Sequence, residues 1–434
     1  MPDSTSPWQR LLDAARDELA RRSLRDSLLT LGGSLVRLAM GLIVARLLAR
    51  GLGPGSLGAF YVMSSAVVVL VTVGDAGLSQ TGVRHIARLR AVAPDEVPGA
   101  IGAFLVLKLA FAAAVAVVVS AYAAPLAGAA IDLPQGDLLL RLAVLGLVPA
   151  ALSGWASFVA QGLRRFGWVT ASTIGTSAAG LAVFAALAAL GRLTVAGGVL
   201  AGAVLPLAGF ALLLPVLRGQ IVSLARFRVH ATALLRFSSW LWVSTLLASV
   251  VSQLDLLLVN RWAATEIVGY YALAGRIAQA ADLVNQGNFV ALLPAVSALT
   301  AVAAQRRYVA ATLRRTVPLA GLLLLIALLA SAPIVWYFGG EYAPAVPLFW
   351  ILMLSVALDL VLTPILLLAF ALDLPRELAA SNLVRLVVLG GASAWWMPVL
   401  GPAGAAWARL AARAAGGAFM LAAIALRQRS TPEA

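Results

Sequence analysis

The chain has 434 residues, of which 62% are hydrophobic and only 12% are charged, whereas a soluble globular protein carries about 25% charged residues. A water-soluble fold of this length cannot bury so much apolar surface, so the surplus must face lipid. The formal net charge of +14 does not indicate nucleic-acid binding, because the basic residues fall between apolar runs instead of forming one patch.

Metal and redox chemistry have few candidate ligands in this sequence. The chain contains no cysteine and two histidines, which excludes disulfides and cysteine-ligated metals. Both histidines, His85 and His230, are predicted to fall in loops between apolar runs. The sequence therefore predicts no metal centre and no cofactor.

Residues 1–28 are predicted to form a cytoplasmic amphipathic segment. Within residues 8–26 apolar side chains recur at helical spacing, and arginines occupy other positions. This pattern is typical of a basic helix that lies on a membrane surface. A solvated leader is the alternative.

Twelve apolar runs follow, with lengths that suit a hydrocarbon layer of about 30 Å at about 1.5 Å per helical residue. The sequence therefore predicts an all-α polytopic membrane protein. The predicted spans are residues 29–49, 57–80, 100–124, 142–162, 167–190, 195–217, 238–260, 266–299, 317–338, 344–371, 378–398 and 403–426.

The arginines predict the orientation of these spans. If the N-terminus is cytoplasmic, the segments on that side hold 21 arginines, and the segments on the other side hold four. Cytoplasmic loops carry the excess of Lys and Arg in membrane proteins. We therefore expect both termini to be cytoplasmic and the number of spans to be even.

The two halves of the chain resemble each other at an offset of about 210 residues. The matching pairs are Gly58 with Gly269, Pro125 with Pro333, Gly191 with Gly401, and Arg218 with Arg427. This offset predicts two pseudo-symmetric six-helix lobes, an N-lobe at 29–217 and a C-lobe at 237–427. A basic cytoplasmic linker, 218–236, joins them, and residues 428–434 form a cytoplasmic tail. Two such lobes can provide alternating access by rocking.

The stretch from Gly53 to Gly58 matches the dinucleotide-binding pattern G-x-G-x-x-G. That pattern requires a preceding strand and a βαβ unit. Here it joins two predicted spans, so we interpret it as a tight turn between helices.

Ionisable residues inside the predicted spans are the main indication of function, because a charge at the bilayer centre costs at least about 2.5–3.5 kcal/mol. The basic ones are Arg37, Arg46, Lys108, Arg276, Arg385, Arg409 and Arg413; the acids are Asp255, Asp282 and Asp359, with Asp75 near a span end. Cations outnumber acids, so salt bridges among them cannot neutralise every charge. An anionic ligand could neutralise the remaining positive charge.

Five arginines are predicted to bind substrate in a cleft between the lobes: Arg37, Arg276, Arg385, Arg409 and Arg413. Their neighbours are polar at helical spacing, as with Gln279 beside Arg276. Arg409 and Arg413 are four residues apart and repel each other, which suggests a bound anion or separate snorkelling to the interface. Arg46 and Lys108 are close enough to span ends to reach the membrane interface.

The acids Asp255, Asp282 and Asp359 are candidates for coupling transport to a proton or sodium gradient. Burial disfavours an ionised carboxylate and so favours proton uptake. Fixed pairing with an arginine, with Arg37 or Arg276 as the expected partner, is the alternative.

Residues 44–89 resemble the opening of the polysaccharide transporter family. These are O-antigen flippase-like (Wzx-type) proteins of the superfamily that includes multidrug and toxin extruders (MATE proteins) and lipid II flippases. The features are Arg50 before Leu52-Gly53-Pro54, the Gly58 turn, Gly77-Leu78, and the basic stretch from Arg84 to Arg88. The second half repeats the resemblance at Asp255, Gly269, Tyr270, Tyr271, Arg276 and Pro294.

The resemblance implies a MATE-like fold and a flippase in the bacterial cytoplasmic membrane. Its substrate would be an undecaprenyl-diphosphate-linked oligosaccharide, which moves from the cytoplasmic to the periplasmic leaflet. The implied partners are this lipid-linked substrate, the bilayer, and a polysaccharide polymerase or glycosyltransferases, with no nucleic acid. Arginine suits such a substrate, because its guanidinium binds phosphate oxygens in bidentate fashion.

Other functions predict different residues. A cation-coupled small-molecule or drug antiporter of the same fold would have a site dominated by acids, and it stays open as the alternative. A major-facilitator transporter usually carries a basic G-x-x-x-D-R-type loop between its second and third spans, which is not present here. A membrane enzyme would need acids in a large outer loop, whereas the longest such loop, 125–141, contains only Asp132 and Asp137.

Overall fold

The computed structural model describes residues 7–218, 222–297, 302–372 and 374–430, and the regular secondary structure in these ranges is helical. The helices are α1 Pro7–Asp75, α2 Leu78–Val92, α3 Val97–Ala121, α4 Ala123–Leu126, α5 Gly136–Val144, α6 Leu147–Gly162, α7 Phe166–Ala189, α8 Val195–Val204, α9 Pro206–Arg218, α10 Phe227–Trp262, α11 Thr265–Ser297, α12 Val302–Leu329, α13 Ser331–Phe338, α14 Ala345–Ala371, α15 Pro375–Leu400 and α16 Pro402–Ser430. The predicted all-α class is confirmed.

Ten stretches of the described residues are long and apolar enough to cross a membrane. One of them, Gly32–Asp75, overlaps the first two predicted spans, 29–49 and 57–80, which are separated by Gly53 within α1. Gly53 has φ 72° and ψ 169°, a conformation open essentially to glycine alone, and Pro54 then starts the second half of the helix. The G-x-G-x-x-G stretch is therefore a break between two helical segments.

The predicted eighth span corresponds to α11, which is not among the ten because its sequence is more polar. It nevertheless packs along α1 on one side and α14 on the other. With α11 included and α1 divided at Gly53, the described helices account for the twelve predicted spans, and the chain is a multi-pass membrane protein.

Helix α1 starts at Pro7 and continues without a break into the first span. The predicted amphipathic segment is therefore helical from residue 7, but it is not a separate helix. Its position on the membrane surface stays a prediction.

Two segments predicted as loops are helical. The predicted loop 81–99 contains most of α2, Leu78–Val92, and α10 begins at Phe227, inside the predicted linker. The prediction that His85 and His230 lie in loops is therefore wrong. Both segments carry many arginines, so they lack the continuous apolar run by which a span is recognised, although α2 is amphipathic.

The internal repeat is visible in the helix pattern. In each lobe a long third helix is followed by a short one: α3 by α4, which contains Pro125, and α12 by α13, which contains Pro333. Gly191 and Gly401 both have positive φ, at 63° and 59°. The pairs matched in the sequence therefore occupy corresponding positions in the two lobes.

The lobes meet at the end of the bundle that contains Gly53, here called the Gly53 end. A Cβ atom added to Gly58 would lie 2.7 Å from Thr265 O, and one added to Gly269 would lie 1.9 Å from Pro54 O. The matched glycines of the two lobes thus allow their backbones to touch. Tyr342 Oη, in the C-lobe, also donates to Ala49 O at 2.8 Å.

The opposite end of the bundle, here called the linker end, carries residues 222–236. Ser223 N donates to Pro98 O at 3.2 Å, so the linker is attached to α3 of the N-lobe. Helix α10 contacts α2 and α3 as well as α15 and α16. It therefore packs against both lobes and connects the linker end with the region between them.

Candidate functional site

A cavity of about 380 Å³ lies between the lobes and is here called the central cavity. It is lined by α1 and α7 from the N-lobe and by α10, α11 and α16 from the C-lobe. Its walls include the ionisable residues Arg37, Asp255, Arg276 and Arg409, and the neutral polar residues Ser64, Ser65, Thr176, Ser177, Ser252, Gln253 and Gln279. Aromatic side chains, Phe60, Tyr61 and Phe184, complete it.

Arg37 and Arg276 face this cavity from opposite lobes. Arg276 Nη2 lies 3.1 Å from the position of a Cβ atom added to Gly41, and Gly41 is one helical turn from Arg37 on α1. Arg276 Nη1 donates to Gln279 Oε1 at 3.3 Å. Neither arginine has a carboxylate partner among the described residues, so two guanidinium groups line the same cavity with no counter-ion from this part of the chain.

Asp255 is held in a different way. It is 2% exposed and accepts hydrogen bonds from Arg409 Nη1 at 2.6 Å and from Tyr271 Oη at 2.8 Å. The backbone N–H of Leu256 adds a third at 2.9 Å. The expected alternative, a fixed ion pair, is therefore present, but its arginine is Arg409 and not Arg37 or Arg276.

The remaining C-lobe charges continue this pattern next to the central cavity. Arg413 forms an ion pair with Asp359. Asp282 accepts from Asn285 Nδ2 at 3.0 Å, and it lines a small cavity of about 40 Å³ together with Arg409 and Arg413. Acids and arginines therefore alternate along α10, α11, α14 and α16. This alternation offsets the repulsion expected between Arg409 and Arg413.

Two further predicted cations lie outside the lining of the central cavity. Arg385 packs against Gly416 of α16, and its Nε and Nη2 have no hydrogen-bond partner among the described residues. Arg46 stacks on the ring of Tyr337, with its Cζ atom 4.4 Å from the ring centre. Of the five arginines predicted to bind substrate, the structure brings Arg37, Arg276 and Arg409 together at this cavity and places Arg385 and Arg413 elsewhere in the C-lobe.

Lys108 is buried in the N-lobe and does not reach an interface, contrary to the expectation. It is 4% exposed, and its Nζ lies 2.6 Å from Asp75 Oδ1. Three of the seven cations inside spans are thus neutralised by acids: Lys108, Arg409 and Arg413. The positive charge that remains in the central cavity comes from Arg37 and Arg276.

The two histidines, far apart in the sequence, meet between α2 and α10. His85 Nε2 and His230 Nδ1 are 3.2 Å apart. Burial lowers the pKa of both imidazoles, and the adjacent His230 and Arg88 lower that of His85 further. Glu96, which pairs with Arg226, raises the pKa of both histidines and so partly offsets this lowering. The described residues contain no group of three or more metal-ligating side chains.

Sequence reasoning missed several residues that shape the central cavity. Tyr271 orients Asp255, and Gly41 provides the space for Arg276. Helix α7 contributes Thr176 and Ser177, which lie on one face with Ser172 and Thr173 in an otherwise apolar helix. That i, i+4 polar spacing was the available signal.

Comparison with known proteins identifies the family. The model of the family described as "Polysaccharide biosynthesis protein" matches residues 23–300. No curated protein sequence is significantly similar to the chain.

Solved structures show where else this fold occurs. An inward-facing multidrug resistance MATE family transporter of the MOP superfamily superposes with a TM-score of 0.76 at 14% identity, over 93% of this chain and 99% of that one. A mutant form of the Vibrio cholerae MATE transporter VcmN gives 0.69 at 16% identity, over 96% and 98%. The lipid II flippase MurJ in an inward closed conformation gives 0.66 at 12% identity, over 93% and 87%.

At these identities the superpositions establish a shared fold, which confirms the predicted MATE-like architecture. The family match covers well over half of the chain, in agreement with the resemblance seen in its sequence. The chain is therefore a multi-pass membrane protein of the polysaccharide biosynthesis protein family, with the fold of the MATE exporters and the lipid II flippase.

Proposed function

We propose that this protein is a flippase that moves an undecaprenyl-diphosphate-linked oligosaccharide across the bacterial cytoplasmic membrane. The observation that carries the proposal is the pair of guanidinium groups, Arg37 and Arg276, in the central cavity. A charge without a counter-ion is costly at membrane depth. An anion that bridges the two lobes would remove that cost.

A diphosphate suits these two groups. It carries negative charge on several oxygens, and each guanidinium offers a planar fork of N–H donors that matches phosphate oxygens. Arg37 and Arg276 come from different lobes, so one diphosphate could contact both. The lobes would then close on the substrate before they rock.

The rest of the central cavity suits an oligosaccharide. Hydroxyl and amide side chains surround the arginines, and Tyr61, Phe60 and Phe184 provide flat apolar surfaces. Sugars need many hydrogen bonds when they leave water, because an unmet one costs about 1–3 kcal/mol. The lipid chain can stay in the bilayer outside the cavity. This role requires no catalytic residue and no cofactor.

The fold and the family support transport of a lipid-linked substrate. The polysaccharide biosynthesis family suggests a sugar-bearing cargo, and one structural neighbour is named as a flippase of lipid II. We expect the protein to operate with both termini in the cytoplasm, next to the glycosyltransferases or polymerase that make and use the oligosaccharide.

The test is binding of a purified undecaprenyl-diphosphate oligosaccharide to the folded protein in lipid nanodiscs. Arg37→Ala with Arg276→Ala should abolish measurable binding. Arg→Lys at either site should keep part of it, because lysine keeps the charge but not the fork. Arg46→Ala is the matched control: it also removes one arginine from a span, but that arginine lies outside the cavity.

Wild-type affinity in the double alanine variant would overturn the proposed site. A second outcome would overturn the proposed substrate: tight binding of a lipophilic drug cation, with no binding of the lipid diphosphate, would indicate an antiporter. All variants must first show a monodisperse folded fraction equal to that of the parent protein, so that lost binding is not confused with lost protein.

A further inference from the structure

A second cavity, of about 320 Å³, lies closer to the linker end and is here called the linker-side cavity. It is enclosed by α1, α2, α3, α6 and α10, with Thr72, Gly154 and Thr245 among its lining residues. Both cavities follow α1 and α10. Between them Thr72 Oγ1 and Ser249 Oγ are 3.1 Å apart. This hydrogen bond joins α1 to α10 at the wall of the linker-side cavity that contains Thr72.

A compact polar cluster lies in the wall of the linker-side cavity. Lys108 Nζ lies 2.6 Å from Asp75 Oδ1 and donates to Ser79 Oγ at 2.5 Å. The Ser79 hydroxyl in turn donates to Asp75 Oδ1, and Ser79 N lies 3.3 Å from Asp75 Oδ2. Lys108 and Asp75 are the only titratable residues among those that line this cavity.

Among the described residues that line this cavity, no other charged side chain could replace either partner. The rings of Phe104 and Phe158 flank the ammonium group, with Nζ 5.5 Å and 5.1 Å from their centres. Helix α10 faces the pair with Leu241 and Thr245, and α6 faces it with Gly154. A change of charge at Asp75 would therefore be felt mainly by Lys108.

This pair differs from the two arginine pairs of the C-lobe. A guanidinium stays charged and tightly oriented. Protonation of Asp255 or Asp359 would therefore leave the charge of Arg409 or Arg413 buried without a counter-ion. Lysine carries a small charge on a flexible stem and can turn towards water. Asp75 is also more accessible than Asp255, with a side chain 21% exposed against 3%. The linker-side cavity has room for several water molecules, since one needs only about 10–15 Å³.

We propose that Asp75 and Lys108 form the site that binds and releases the coupling proton of this transporter. The proposal rests on the proposed transport function. In the loading step a hydronium ion in the cavity gives its proton to a carboxylate oxygen of Asp75. One O–H bond forms, one water is released, and the ion pair with Lys108 is lost. Release to water on the other side reverses the step, so one proton crosses in each cycle.

The position of the pair explains how proton binding would move the lobes. Asp75 is the last residue of α1, and the chain then turns through Ala76 and Gly77, with φ values of 48° and 70°, before α2 begins. The pair therefore ties the end of α1 to the start of α2 and to α3. Breaking it frees the angle between α1 and α2.

The turn between α1 and α2 is in direct contact with α10. A Cβ atom added to Gly77 would lie 2.6 Å from Ser238 O and 2.9 Å from Trp242 N. A change at the turn must therefore displace α10, which carries Ser252 and Asp255 into the central cavity. The contact gives a mechanical route from the proton site to the substrate site.

Sodium fits the Asp75–Lys108 site poorly, because the lysine ammonium already pairs with the carboxylate.

The experiment uses the full chain in nanodiscs and measures the separation of the lobes without any substrate. The chain has no cysteine, so a spin-label pair can be placed at Leu190→Cys and Trp336→Cys. Both residues are exposed and lie at the Gly53 end in opposite lobes. Leu190 directly follows α7, and Trp336 lies in α13, which follows α12. Pulsed electron paramagnetic resonance then gives the label distances at neutral and at acidic pH.

The parent protein should gain a second population of label distances on acidification. The variant Asp75→Asn with Lys108→Met should lose this shift. Neutralising both partners keeps the cavity free of an unpaired charge, so the variant should fold. The matched control, Asp359→Asn with Arg413→Met, removes an arginine pair in the same way and should keep the shift.

Three results would overturn the proposal: no acid-induced shift in the parent, an unchanged shift in the Asp75→Asn, Lys108→Met variant, or a shift produced by sodium at constant neutral pH. The unchanged shift would assign the response to other groups, such as His85 and His230. Failure of the proposed function is seen separately. The same variant should still bind the undecaprenyl-diphosphate oligosaccharide, because neither residue lines the central cavity, whereas absence of binding in the parent protein would contradict the proposed function.

Discussion

The two lobes share one helical plan but use buried charge differently. In the part of the N-lobe that the structure describes, the ion pair inside the spans is Lys108 with Asp75, at the turn that ends α1. The C-lobe has a series of acids and arginines on four helices, with Asp255 sealed by Arg409 and Tyr271. Duplication thus accounts for the scaffold, whereas the charged residues of each lobe are specific to it.

This difference suggests a division of labour. In the C-lobe Asp255 is 2% exposed and accepts three hydrogen bonds, which favours a rigid wall. The N-lobe pair lies at a turn beside a roomy cavity, which favours exchange. The two arginines without carboxylate partners, one from each lobe, lie where the lobes face each other. A substrate anion would thus contact both lobes at once.

The largest effect is expected when the buried Asp255–Arg409 pair of the C-lobe is broken. Asp255→Ala leaves the Arg409 guanidinium buried without its carboxylate, and loss of one partner of a buried pair typically costs about 3–5 kcal/mol. We expect a strong fall in thermal stability and in the yield of folded protein. Replacing both residues, Asp255→Asn with Arg409→Met, should recover most of the loss.

Breaking the Asp75–Lys108 pair of the N-lobe tests whether the two lobes hold their ion pairs equally rigidly. Lys108→Met leaves Asp75, whose side chain is 21% exposed and lines the linker-side cavity, where water can solvate it. We therefore expect a smaller loss of stability than for Asp255→Ala, measured by thermal unfolding in the same detergent. An equal or larger loss would show that both pairs are equally rigid, which contradicts the division of labour.

The contact between matched glycines should show an intermediate effect. Gly269→Ala places a methyl group 1.9 Å from the carbonyl oxygen of Pro54, whereas Gly58→Ala meets Thr265 O at 2.7 Å. Overpacking of this kind costs about 1–3 kcal/mol, and backbone cannot give way as a side chain can. We expect Gly269→Ala to separate the lobes at the Gly53 end more than Gly58→Ala does.

Cysteine labelling measures this separation, because a single cysteine at Pro54 should become reactive when the contact opens. Gly32→Ala is a control, since no atom lies within 4 Å of its added methyl group. Equal labelling in the parent protein and in both glycine variants would show that the Gly53 end does not depend on this contact.

The smallest effect concerns the histidine pair that joins α2 to α10. Burial lowers the pKa of His85 and His230 in the folded protein, so the unfolded chain binds protons first as the pH falls. The stability from the neutral pair is present above the unfolded pKa of about 6.5 and is lost as the pH falls below it. His85→Gln with His230→Gln should reduce this acid-induced fall in melting temperature.

A pH series of melting temperatures for the parent and the glutamine variant measures the effect. The two curves should run parallel above about pH 6.5 and approach each other below it. Curves that stay parallel throughout would show that the histidine pair does not contribute to the pH dependence of stability.

Much of the fold could be predicted from the sequence because it depends on local patterns. Apolar runs follow from lipid contact, and the offset of about 210 residues follows from duplication. The orientation that the arginine asymmetry indicates stays a prediction. The helical state of 78–92 was missed, because an arginine-rich amphipathic helix lacks a span's uniform hydrophobicity. The break at Gly53 was recognised, because Gly-Pro-Gly is a strong turn signal.

The candidate site was only partly predictable. Periodicity identifies which face of a helix is polar, but it cannot tell which helix that face meets. Asp255 was therefore expected to pair with Arg37 or Arg276, whereas packing of α16 brings Arg409 to it. The proximity of Arg276 to α1 depends on the small Gly41 in the other lobe. Such pairings across lobes arise from tertiary packing and have no local signature.

The most direct test of the central claim compares ligand classes on the parent protein. Binding to nanodisc-held protein is measured for an undecaprenyl-diphosphate oligosaccharide, for a lipid of the same length with a neutral sugar link, and for a lipophilic cation. Because Arg37 and Arg276 leave the central cavity positive, the diphosphate should bind far more tightly than the neutral lipid, and the cation should not bind. Preferential binding of the cation, or equal binding of both lipids, would contradict the account.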